Sequence, residues 1–504
     1  MNQELPPASE ADSLFLLTDE LIWVFEGQEA PSDSDDEGRL SEYLSDMLAM
    51  MPADVTGRHL MRIQFSRPQT AGYTKNSDGQ RVYQGSPLRV YHQHRLSAGK
   101  IHAHLTQIKL PGEPFHGRAG FDFSSGHVSL EDTGPVSRVI LGDYSLHFGQ
   151  GLTLWSTPSF GKSGTYHRAP YKYGRGARPY YSSDQHHFFR GISVQLRPPS
   201  SMFRSDNTPE LTLFYSRKPR SAVLADSMFI RPPVQSPYHR TKAELERRHN
   251  ISETVIGGHF RFPVRTLGAL GLTGYHYSLD HPVLPLSQQH PMQGQSNLVG
   301  GVDMTFSVSR FRFFMEASIN KPKRLVHSDF FSDSNDETGI SGLSSGGISW
   351  VAGVMGTGTQ GMDWVFARRS LGTYYWSEFT HIFAEGSRPS NQSGWYAGIR
   401  IRPSSKASYS GFIDRFRFPE ADHRRNAGDS GWEHASEIRL RPVRSGHILL
   451  GLRYKTSQMR IHQPDRYDRD IRSTGDQSRL TFRVQTRWSA GHRLTLTSQA
   501  NIVR

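Results

Sequence analysis

The densest run of metal-ligating side chains is Tyr91-His-Gln-His-Arg-Leu-Ser-Ala-Gly-Lys-Ile-His-Ala-His104. A hairpin centred on Ala98 would set His94 opposite His102 and His92 opposite His104. Period two then puts all four imidazoles on one face, with opposed Cβ atoms ~4.5–5.5 Å apart. That is close enough to share a zinc, copper or nickel ion. The same spacing suits a polar face on which histidines make ordinary hydrogen bonds, and no Asp or Glu adjoins to orient the rings. A second candidate is the loop His167 to Arg178, which interleaves tyrosines with Arg168, Lys172, Arg175 and Arg178. Aromatic rings among arginines can stack bases and track phosphates. The pattern therefore fits DNA or another polyanion, lipopolysaccharide phosphates, or a wet structural loop.

Other motifs carry less chemistry. Phe160-Gly-Lys-Ser-Gly-Thr165 has the centre of a phosphate loop, but its first glycine would fall at Ser156. A helix should follow, and Tyr166 to Pro179 is too rich in Gly, Pro and Tyr for one. Ser159 and Lys162 match Ser-x-x-Lys without the supporting motifs of a β-lactamase. No Gly-x-Ser-x-Gly elbow accompanies a plausible triad, so neither a catalytic residue nor a cofactor is assigned. The 504 residues include no cysteine, which excludes thiol catalysis, disulfides and Cys-ligated zinc or iron–sulfur sites.

The elements that must position these residues divide the chain in two. Residues 1–50 hold 13 acids and one base, Arg39, leaving −12 there and +24 on the remainder. Leu14, Leu17, Leu21, Val24 and Phe25 recur at helical spacing, as do Leu40, Tyr43, Leu44, Met47 and Met51. Two short amphipathic helices are predicted, joined by the acidic break Gln28 to Gly38. No stretch approaches the ~18 uninterrupted apolar residues of a spanning helix, and no basic, apolar leader opens the chain. The chain is thus either internal or numbered from beyond its true start.

After Pro52 the period changes to two. Trp395-Tyr-Ala-Gly-Ile-Arg-Ile-Arg402, Glu437-Ile-Arg-Leu-Arg441 and Leu450-Gly-Leu-Arg-Tyr454 alternate apolar with polar, as do Leu60 to Phe65, Leu211 to Tyr215 and Leu480 to Gln485. Such runs read as strands with one apolar face, and no helical crossovers intervene. A propeller would show a ~40–50-residue repeat, which is missing. Tandem sandwiches would favour Lys and Glu on the wet face. Here the off-face residues are Arg, Gly, Ser, Thr and Gln, and aromatics (Tyr144, Trp155, Tyr275, Trp395, Trp488) stand near strand ends, as in outer-membrane barrels.

The segment Val139-Ile-Leu-Gly-Asp-Tyr-Ser-Leu-His-Phe-Gly-Gln-Gly-Leu-Thr-Leu-Trp155 is more specific than periodicity. With Gly112-Glu-Pro-Phe115, Gly120 to Ser125, Phe160 to Ser163 and Gly176 to Gly191 (including Phe188-Phe-Arg-Gly191), it resembles a family of Gram-negative outer-membrane proteins. In that family a competence-type helix-hairpin-helix segment precedes a large β-barrel. The resemblance covers about residues 85–216 and continues by strand rhythm. It implies motif residues at Gly142, Asp143, Tyr144, Phe148, Gly149, Gln150, Gly151, Lys162, Arg190 and Gly191. The glycines would mark kinks or close approaches; an Asp143–Arg190 pair across the lumen would organise the wall. The family's Pro-Gly-Ile-Gly-like hairpin is missing between Pro52 and Arg58, and the chain stops at Asn501-Ile-Val-Arg504 where further strands and a terminal aromatic are expected.

The fold expected is all-β: a large antiparallel transmembrane β-barrel, incomplete at its C-terminus, over 57–504, with a short acidic α-helical arm over 1–56. Ile399, Ile401, Ile438, Leu440, Leu450 and Leu452 should face outward and Arg400, Arg402, Arg439 and Arg441 inward. The expected role is non-enzymatic: binding, transport or envelope assembly in the outer membrane. Partners would be lipid and lipopolysaccharide, a periplasmic protein at residues 10–51, and DNA only weakly. The competing reading is a soluble, basic all-β nucleic-acid-binding protein; an enzyme such as a porin-like lipase or polysaccharide lyase comes third.

Overall fold

A computed structural model describes residues 55–503, apart from 66, 68–69, 78, 116–119, 159–161, 163–164, 199–207, 226–228, 284–293, 324–346, 359–360, 387–388, 423–424, 444, 465–469 and 491–493. The two acidic helices expected over residues 8–51 lie outside the described residues. Among the described residues, twenty strands belong to one antiparallel sheet. The chain divides into two compact units, one of residues up to 126 with 238–242, the other of 127–237 with the remainder.

The first unit contains β1 (Val55–Gln64), β2 (Arg89–Ala98) and β3 (Ile101–Lys109), paired in that order. The carboxylate of Glu113 accepts the amides of Leu110 at 2.7 Å and His239 at 3.1 Å, and Asp122 holds the His239 ring at 2.7 Å. Burial, with Asp122 close by, raises the pKa of Glu113 above the ordinary carboxylate range.

The later strands are β4 (Phe123–Thr133), β5 (Val136–His147), β6 (Gly176–Pro179), β7 (Phe189–Leu196), β8 (Glu210–Arg220), β9 (Ile251–Val264) and β10 (Gly268–Val283). After these come β11 (Gly294–Val308), β12 (Phe311–Lys323), β13 (Ile348–Thr357), β14 (Asp363–Leu371) and β15 (Gln392–Ser404). Last are β16 (Ala407–Arg417), β17 (Ser430–Val443), β18 (Gly446–Pro464), β19 (Asp470–Ala490) and β20 (Leu494–Val503). In the second unit β4 pairs with β5, β5 with both β6 and β7, and each strand from β7 to β20 with the next.

Sidedness decides what kind of sheet this is. Along β8, Thr212, Phe214, Ser216, Lys218 and Arg220 are buried, while Leu213 and Tyr215 between them are exposed. Leu272 of β10, 57% exposed, stands between Phe260 of β9 and Val302 of β11, themselves exposed. Glu253, Glu316, Arg369, Asp414 and Glu433, by contrast, are buried on the other face. A soluble sheet hides its apolar face; this one hides charges and shows Leu, Ile, Val and Phe. That is the wall of an outer-membrane barrel, apolar towards lipid and polar within. The soluble nucleic-acid-binding reading is overturned on this point.

Ile438, Leu440 and Leu452 are exposed on the outward face, and Leu450 lies opposite Ile438. Arg400 pairs inward with Asp363 at 2.5 Å, and Arg439 with Glu437 at 2.6 Å. The strand-end aromatics separate into two kinds. Trp395 and Trp488 are exposed outside, whereas Tyr144, Trp155 and Tyr275 are buried in the interior and form no girdle. They pack there because the described residues of two loops, within 148–175 and 372–391, fold inward against them. Leu154 and Phe379 from these loops join Tyr144, Phe189, Phe214, Tyr275 and Tyr277 in one apolar cluster.

Candidate functional site: an arginine-lined cavity

The loop that follows β5 is held by its backbone. Glu316 of β12 accepts the amides of Gln150 at 2.6 Å, Leu152 at 3.0 Å and Thr153 at 2.8 Å. Successive amides turned to one point make an anion nest, and here the anion is the protein's own carboxylate. Gly149 has a φ of 54°, and a Cβ there would stand 2.7 Å from Glu316 Oε2. The turn Phe148-Gly149-Gln150-Gly151 thus requires glycine next to the carboxylate. Gln150 Oε1 accepts the Lys172 amide at 2.8 Å, and the Lys172 ammonium donates to the carbonyl of His381 and lies 4.5 Å from the Trp155 ring centre. Burial lowers Lys172 to about 7, with Glu316 opposing that shift, and holds His381 down at about 4.

Beside this loop, within the second unit, lies a cavity of about 590 Å³ lined by polar side chains. Arg138, Arg175, Arg178, Arg197, Arg261, Arg265, Arg312 and Lys172 face it, against Glu131, Asp132, Glu210 and Asp303. Two arginines are committed: Arg138 to Glu131 at 2.9 Å and Arg197 to Glu210 at 2.7 Å. Among the described residues Arg175, Arg178, Arg261, Arg265 and Arg312 form no salt bridge, which leaves a surplus of guanidinium groups. Tyr171 and Tyr173 line the same space, with Arg312 5.7 Å from the Tyr171 ring centre. Guanidinium forks match carboxylate and phosphate oxygens in pairs, so the chemistry available is capture of an anion.

Three of the four basic loop residues singled out in the sequence, Lys172, Arg175 and Arg178, meet at this cavity. Arg168 does not line it; it ends a short turn, Tyr166–Arg168. Arg138, Arg261 and Arg312 come from three separate strands. They went unnoticed because each is one more inward residue of a period-two run, and only the wall's curvature gathers them.

The motif residues occupy structural positions. Asp143 and Arg190 are opposite one another in the β5–β7 ladder, joined by hydrogen bonds of 2.7 and 2.8 Å. They bridge neighbouring strands of the wall and do not reach across a lumen. Gly142 faces Gly191 in the same ladder, and a Cβ on Gly191 would come within 2.4 Å of the Tyr215 carbonyl oxygen. That carbonyl accepts the Tyr144 hydroxyl at 2.7 Å. Lys162 is sunk among Asp414 at 2.7 Å, Glu433 at 2.6 Å and Glu385, so its charge is spent on carboxylates and not on a phosphate.

The four-histidine site does not form. The turn falls at Gly99-Lys100, so His94 stands opposite Leu105 and His92 opposite Gln107. His102 and His104 are opposite Ser97 and Arg95 instead. A two-residue turn has its centre between residues, which shifts the pairing by an odd number and turns His102 and His104 to the other face.

No family model matches the chain, that of the resemblance included, and no curated protein does. Among solved structures it is similar to Wzi, an outer-membrane protein involved in group 1 capsule assembly in Escherichia coli, described as a carbohydrate-binding β-barrel. The identity is 13%, over 89% of this chain and 88% of that one, with a TM-score of 0.36. It is also similar to OmpT, an outer-membrane protein of Vibrio cholerae folded in vitro, at 8% identity over 86% and 95% of the two chains and a TM-score of 0.28.

Proposed function

We propose that this outer-membrane protein binds an anionic envelope ligand, an acidic or phosphorylated saccharide, without catalysing its conversion. The observation that carries this reading is the set of arginines that, among the described residues, form no salt bridge around the cavity of about 590 Å³. That volume falls within the ~300–1,000 Å³ of small-ligand sites. Guanidinium groups supply charge recognition, and Tyr171 and Tyr173 offer flat rings against which a sugar can lie. A DNA duplex is a poor fit: the basic groups are gathered inside the wall and not spread along a groove, and no helix-hairpin-helix stands among the described residues.

The test is a titration of the full chain, folded in detergent micelles, with a short uronic-acid oligosaccharide, its neutral counterpart, a lipopolysaccharide phosphosugar and a DNA duplex. Binding of the acidic or phosphorylated sugar is expected, at least tenfold weaker in Arg261→Ser/Arg312→Ser. It should fall as salt rises from ~50 to ~200 mM, as ion release from charge contacts requires. Equal binding of the neutral sugar, or no effect of the double substitution, would refute the reading. Tighter binding of duplex than of any sugar would favour nucleic acid instead.

A further inference from the structure

We infer that His59, His92 and His94 form a binding site for one late first-row divalent ion, zinc, copper or nickel, on the β1–β2 pair. The site is independent of the arginine-lined cavity. His59 lies opposite His94 in the β1–β2 ladder, and His92 is two residues from His94 on the same face. The three ring centres are 4.3 to 4.5 Å apart. Nitrogen–nitrogen approaches are 3.0 Å for His59–His94, 3.1 Å for His59–His92 and 3.3 Å for His92–His94. One nitrogen from each ring lies within 4.8 Å of the other two. Three imidazole nitrogens at ~2.0–2.1 Å from a tetrahedral zinc stand ~3.3–3.4 Å from one another. Small ring rotations therefore suffice, and the ladder already holds the backbone.

The surroundings point the same way. The face carries Met61, Ile63, Leu96 and Leu105, all exposed and apolar. Each of the six ring nitrogens takes part in one contact with another imidazole. A neutral imidazole has one N–H and one lone pair, so the ring of contacts closes only when all three are neutral, the form that also ligates metal. Gln107 stands opposite His92 in the β2–β3 ladder, where it can hold the His92 ring once a metal ion breaks the ring of imidazole contacts. An all-nitrogen set selects zinc, copper or nickel over magnesium or calcium, and exposure of His94 leaves a fourth coordination position open. The buried trio Glu113, Asp122 and His239 is a weaker candidate, because Glu113 already holds two backbone amides.

The experiment titrates the chelator-stripped full chain in micelles with cobalt(II), read by the visible spectrum of the four-coordinate ion, and with zinc in competition. The chain has 24 histidines, so His59→Ala/His94→Ala sets the background. One specific ion per chain is expected, with at least tenfold weaker binding in His59→Ala and in His94→Ala. His102→Ala/His104→Ala, on the opposite face, should bind as the parent does. Melting curves in chelator check that each variant folds. Cobalt spectra identical in parent and His59→Ala would overturn the site, as would binding lost in His102→Ala/His104→Ala.

Discussion

Replacing Lys162 by Met isolates the charge cluster that locks the interior loops to the wall. The Lys162 side chain is 5% exposed, and those of Glu385, Asp414 and Glu433 are 6%, 0% and 1% exposed. Burial works against its charge, but the three carboxylates outweigh that and hold its pKa above the ordinary lysine range. Without it Asp414 keeps Arg369, a buried partner, while Glu433 and Glu385 keep Arg453 and Lys455, whose side chains are 49% and 37% exposed. Breaking a buried pair costs ~3–5 kcal/mol. Since each carboxylate retains one cation, the lower end, about 3 kcal/mol, is expected. That is a large part of the ~5–15 kcal/mol typical of a folded protein. Equilibrium unfolding in urea, followed by tryptophan fluorescence of the chain in micelles, measures it. The pH dependence has a definite sign. Carboxylates deprived of the ammonium take up protons more readily in the folded state, so the gap between variant and parent should narrow as pH falls from 8 to 4. A loss below ~1 kcal/mol, the range of an ordinary surface change, or a loss independent of pH, would refute the charge argument.

Other consequences concern separate parts of the molecule. Lys172 titrates near 7 in the fold against 10.5 in the free chain, so between those values the unfolded chain holds more protons and stability rises with pH. Lys172→Met should therefore gain on the parent at pH 6 relative to pH 9.5 in urea titrations, and an equal difference at both would refute this. A Cβ at Gly398 would lie 2.1 Å from the Tyr166 carbonyl oxygen, which accepts the Tyr396 hydroxyl at 2.8 Å. Gly398→Ala is expected to cost ~1–3 kcal/mol by overpacking, measured in the same assay. Leu272→Arg puts a charge on the outward apolar row, with an expected cost of ~2–4 kcal/mol if it lies near the bilayer midplane. Guanidinium titration in phospholipid vesicles checks it, and an unchanged midpoint would argue against lipid contact there.

Period-two alternation was enough to read the strand class and the facing of residues such as Ile438, Leu440, Leu452 and Arg400, because successive side chains on a strand must point to opposite sides. Composition was enough to exclude cysteine chemistry and helical spans. The motif residues Phe148 to Gly151 were visible as a segment, but not their partner: Glu316 lies 166 residues from Gln150 in the chain, and no local pattern encodes such a contact. The histidine site turned on parity. A three-residue shift in pairing, from a turn at Gly99-Lys100 instead of Ala98, separated His102 and His104 from His92 and His94, and β1 then brought His59 to the latter pair. The arginine surplus likewise exists only in three dimensions, since Arg175, Arg261 and Arg312 become neighbours through the curvature of the wall and the inward fold of a loop. Sequence alone therefore determined which side chains face in and which face out. Tertiary structure decided which of the inward charges neutralise one another and which form no salt bridge, because ion pairing depends on distances across strands that alternation does not specify.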